Sequence, residues 1–81
     1  MALYQVETKL SEDEALERAR EFFGEDGLGL HLKEQQDCCL EFTGGGGHVS
    51  VIAVNGEGIR LEIETREWDR QVGQFMEEVG G

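Results

Sequence analysis

The chain has 81 residues, 7 of them basic and 18 acidic, for a net charge of −11. That length holds one domain with a thin core, which buries only about 60% of the surface its unfolded chain exposes. The acidity leaves no basic stripe for nucleic acid and repels an anionic membrane surface, and no apolar run approaches the roughly 20 residues of a spanning helix. The opening Met1-Ala2-Leu3-Tyr4-Gln5-Val6-Glu7 lacks the cationic head and apolar centre of a signal peptide, so the expected location is cytoplasmic.

Residues Leu3 to Lys9 alternate weakly, with Tyr4, Val6 and Thr8 on one side, as a short edge strand would. Leu10-Ser11-Glu12-Asp13-Glu14-Ala15 then carries a capping box, Ser11 with Glu14, and three acids for the positive end of a helix dipole. The helix it opens has Ala15, Leu16, Ala19, Phe22 and Phe23 at the helical period, and Gly24 is expected to end it in a left-handed cap. The acids of that helix read as a solvated face, without the oxygen-ligand pattern of an EF-hand.

Leu28, Leu30 and Leu32 alternate with Gly29, His31 and Lys33, which predicts a half-buried strand followed by a turn at Glu34-Gln35-Gln36-Asp37. The next strand begins at Cys38 and puts Cys38, Leu40 and Phe42 inward. Neighbouring strand residues point to opposite faces, so Cys38 and Cys39 are expected as two reduced thiols, Cys38 buried and Cys39 outward, with a vicinal redox pair or a soft-metal site as the alternative. Zinc spacing requires a second cysteine or histidine pair, and the chain has none.

Four glycines, Gly44 to Gly47, precede His48. They lack the Gly-Lys-Ser/Thr of a phosphate loop and are followed at once by strand residues, so they read as a mobile hairpin loop. With that loop, Thr43 meets His48, Phe42 meets Val49 and Leu40 meets Val51 on one consistent face. A three-residue loop Gly56-Glu57-Gly58, with Gly58 left-handed, keeps the next pair in register, Ala53 with Leu61 and Val51 with Ile63. A second helix is predicted from about Arg66, capped by Thr65 or a neighbour, with Trp68 as a core anchor and Val72, Phe75, Met76 and Val79 inward. Gly73 within it suggests a close approach to the first helix or the sheet, and Gly80-Gly81 ends it.

Together these elements predict an α+β two-layer sandwich: an antiparallel four-stranded meander, or five strands with the N-terminal edge strand, and two helices on one face, in the order (β)-α-β-β-β-β-α. The other face carries Cys39, Glu41, Ile52, Val54, Arg60 and Glu62. Ile52 and Val54 are apolar where water is expected, which marks a covered surface. The expected role is therefore non-enzymatic, a protein-interaction or self-assembly module, with a homodimer or another protein as partner. The alternative is a small-molecule or divalent-cation site using His31, Glu41, Glu62 and Glu64 on the same face. Catalysis would draw on His31, Cys39 and those carboxylates, but no nucleophile-base or HExxH spacing lifts them above what alternating strands supply, and no cofactor is implied.

Overall fold

A computed structural model describes residues 2–80. Five antiparallel strands form one open sheet, β1 Ala2–Thr8, β2 His31–Gln36, β3 Cys39–Gly44, β4 Gly47–Asn55 and β5 Ile59–Arg66, in the spatial order β1-β5-β4-β3-β2. Helices α1 Glu12–Phe23 and α2 Asp69–Val79 share one face, α1 mainly over β4 and β3 and α2 over β5 and β1. The sandwich is the one the alternation predicts, with the N-terminal strand paired to β5 at one edge.

The capping box forms as the sequence implies: the Glu14 amide donates to Ser11 Oγ at 3.2 Å and the Ser11 amide donates to Glu14 Oε1 at 3.1 Å. The far end of α1 differs from expectation. Gly24 is extended (φ −74, ψ −166), and glycine is needed there because a Cβ would lie within 2.4 Å of the Arg20 carbonyl oxygen. The chain then folds back on the helix end, with the Leu28 amide on the Phe22 carbonyl and the Leu30 amide on the Phe23 carbonyl, both at 3.0 Å. Those bonds take Leu28 to Leu30 out of the predicted strand, so β2 starts at His31. A bulge between Leu32 and Glu34 and a turn moved to Asp37-Cys38 complete the correction.

Side chains at alternate positions of β3, β4 and β5 meet the helices in one core. Leu40, Phe42, Val49, Val51, Ala53, Leu61 and Ile63 are all buried. Phe23 sits between layers, its ring 5.1 Å from that of Phe75 on α2 and 5.7 Å from that of Phe42 on β3. One aromatic thus ties both helices to the sheet. Val51 pairs with Ile63 and Ala53 with Leu61, the register that only the three-residue loop Gly56-Glu57-Gly58 permits.

The glycine run is tighter than a four-residue loop. Gly44 and Gly47 still pair, leaving Gly45 (φ +59) and Gly46 (φ +81) as a two-residue turn whose positive dihedrals match the type I′ hairpin. It is packed, since the Trp68 indole lies against Gly45 and its Nε1 donates to the Gly44 carbonyl at 3.0 Å. Trp68 is half-buried at the sheet's end. It is an anchor for the turn more than a member of the central core.

The second helix begins later than its apolar spacing suggests. Arg66 is the last residue of β5, Glu67 turns the chain with a positive φ of 77, and Trp68 occupies the N-cap without a side-chain cap bond. Thr65 does not cap the helix; its hydroxyl donates to the His48 carbonyl at 2.9 Å. Tyr4 holds the helix start instead, donating its phenol to Asp69 Oδ2 at 2.9 Å. A Cβ built on Gly73 meets nothing within 4 Å, so no close approach explains that glycine. Gly80 caps α2 and bridges to Thr8; Gly81 lies outside the described residues.

Candidate functional site: the open sheet face

Because Val49, Val51 and Ala53 face the helices, Ser50, Ile52 and Val54 of the same strand face away. The strand register then sets the uncovered face in cross-strand rows, successive rows about 7 Å apart along the strands. One row runs Gln36, Cys39, Ile52, Glu62, Gln5. A second runs Glu34, Glu41, Ser50, Glu64, Leu3. On one side of these two lie Val54, Arg60 and Glu7, and on the other His31, Thr43, His48 and Arg66.

All six candidate interface residues, Cys39, Glu41, Ile52, Val54, Arg60 and Glu62, therefore share one face. Ile52 is 42% exposed in the middle of the central strand, between Cys39 and Glu62. Val54 is half-buried opposite Arg60, whose aliphatic stem can cover it while the guanidinium reaches Glu62 Oε2 at 3.2 Å. Ile52 has no such cover. Leu3, 64% exposed, adds a second apolar side chain beside Glu64.

The four residues of the alternative ligand site do not converge. Glu41 and Glu64 flank Ser50 on either side, about 10 Å apart by strand spacing. Glu62 belongs to the next row, and His31 stands at the outer strand opposite Thr43. Glu64 pairs instead with His48, its Oε1 lying 3.4 Å from Nε2. Among the described residues, no three His, Cys, Asp or Glu side chains gather closely enough to share a metal ion.

The cysteines correct the sequence reading. Their Sγ atoms are joined in a disulfide between adjacent residues, and neither is a free thiol. The bond is possible because Cys38 lies in the turn, outside the strand alternation that would hold it on the opposite face from Cys39. Both residues are half-exposed, so Cys38 is not the buried core residue expected.

Sequence reasoning missed Leu3, Gln5, Glu7, Glu34, Gln36, His48 and Arg66 on this face. The alternation of β1 was visible, but nothing local says that β5 is its neighbour. Arg66 was hidden by extending the second helix back to it. Compared with known proteins, the chain matches no family model and no curated protein.

Proposed function

We propose that this chain is a small interaction module that self-associates through the open face of its sheet, with Ile52 at the centre of the contact. The observation that carries the reading is an exposed isoleucine in the middle strand of a five-stranded sheet whose other face is already covered by both helices. A second copy stacked face to face, about 10 Å away, buries Ile52 and adds apolar contact to a domain too small to build a thick core. Glu41, Glu62 and Glu64 stand on the strands beside Ile52, so a stacked copy has to place Arg60 or water against them.

Light scattering of the wild type and Ile52→Glu tests this. The wild type is expected at twice the chain mass and the variant at the chain mass, with unchanged circular dichroism. A wild type that stays monomeric at high concentration, or a variant that remains dimeric, removes the reading.

A further inference from the structure

We infer that Cys38 and Cys39 form a reversible redox site, a two-electron thiol–disulfide couple whose reaction partner is a dithiol. The two sulfurs are already joined, and the chain has no third cysteine to exchange with them, so any exchange is with an outside thiol. Both residues are half-exposed at the outer end of the β2–β3 hairpin, within reach of such a reagent. Neither is locked inside the core.

In the forward direction a reductant thiolate attacks one Sγ, forming a mixed disulfide and releasing the other Sγ as a thiolate that takes up a proton. The reductant's second thiol then displaces the remaining sulfur, leaving two cysteine thiols and an oxidised dithiol. Two electrons and two protons are transferred in all. Oxidation back to the bond requires an external disulfide, which leaves as its two thiols.

The surroundings make this more than a local change. The Cys38 carbonyl accepts the Ala53 amide at 2.9 Å, so the turn stays fastened to β4 while the bond opens. Once free, Cys38 can rejoin the alternation of β3 and turn towards the helix side, where Leu40 already points. Cys39 is the direct cross-strand partner of Ile52, so the reaction occurs beside the exposed isoleucine of the middle strand.

Intact-mass spectrometry after iodoacetamide labelling of the folded protein tests it. Protein equilibrated with oxidised glutathione is expected to take no label, the same sample reduced with dithiothreitol to take two, and re-oxidation to return it to none. The Ala53 amide, which donates to the Cys38 carbonyl, is expected to keep its protection from hydrogen exchange on reduction, as is the β4–β5 ladder. Two labels on the oxidised sample overturn the proposal, as does oxidation that links separate chains. Self-association would cover Cys39 beside Ile52, so the labelling is run on Ile52→Glu as well as on the wild type, and the thiol count is read apart from the chain mass.

Discussion

The indole nitrogen of Trp68 donates to the carbonyl of Gly44 across 3.0 Å, joining the start of the second helix to the turn between β3 and β4. A Cβ at Gly45 would stand 2.7 Å from Cζ2 of that ring, whereas one at Gly46 meets nothing within 4 Å. Both glycines have a positive φ, so alanine at either carries the left-handed penalty of about 1–2 kcal/mol. Gly45→Ala adds overpacking against the ring and is expected to cost about 1 kcal/mol more than Gly46→Ala. Urea midpoints of the two variants check the order; equal losses would show that Trp68 does not hold the turn.

Gly73 has no steric reason to be glycine. Gly73→Ala is expected to stabilise the protein by about 1 kcal/mol through helix propensity, raising the melting temperature by about 4–8 °C. A calorimetric scan decides it, and a lower melting temperature would point to a close contact made in solution.

Glu67 is the sole non-glycine residue with a positive φ among the described residues. Replacing it with glycine relieves a left-handed strain worth about 1–2 kcal/mol, offset in part by the entropy glycine loses on folding. Glu67→Gly is therefore expected to match or modestly exceed the wild type in urea, while Glu67→Val, β-branched at the same backbone angle, falls below it. Equal behaviour of the valine and glycine variants would remove strain as the cause.

The capping box makes stability depend on acid. The backbone and hydroxyl of Ser11, and the charge of Arg18, hold the Glu14 carboxyl below its usual value. A folded value below the unfolded one contributes stability that is complete above the ordinary glutamate range and disappears as pH falls through the folded value. The advantage of wild type over Glu14→Gln is thus expected to be largest at neutral pH and to shrink as pH falls below the ordinary glutamate range. Chemical denaturation across that range checks the sign, and a pH-independent difference would contradict it.

Strand parity predicts opposite outcomes at neighbouring kinds of residue. Ile63 is fully buried and Ile52 is 42% exposed. Ile63→Ala is expected to cost about 2–5 kcal/mol, a large share of the roughly 4–12 kcal/mol available to a domain of this length. In the monomer, Ile52→Ala is expected to stay within about 0.5 kcal/mol. Comparable losses at dilute, monomeric concentration would mean that the sheet faces are assigned the wrong way round.

The parts of the fold legible in the sequence are those set by period and parity. Alternation in β5 and the need for Val51 to meet an apolar partner were enough to choose a three-residue loop, because a slip of one residue reverses a whole face. The errors came where local pattern met tertiary bonding. Leu28 and Leu30 alternate like a strand, yet their amides are taken by the end of α1. Trp68 has helical spacing to Val72 and Phe75, yet β5 runs on through Arg66 and the turn at Glu67 delays the helix. On the open face, parity alone places Cys39, Glu41, Ile52, Val54, Arg60 and Glu62 together. Leu3 and Gln5 join them only through the pairing of β1 with β5, a contact between segments far apart in sequence that no short window contains.

The bulge between Leu32 and Glu34 lies on the strand that reaches past the helices, where five of six side chains are exposed. An approaching chain that tried to zip along this border would lose step at Lys33 and bring its own backbone up against an ammonium group. The extra residue thus keeps this exposed border from offering an unbroken row of backbone groups to another strand.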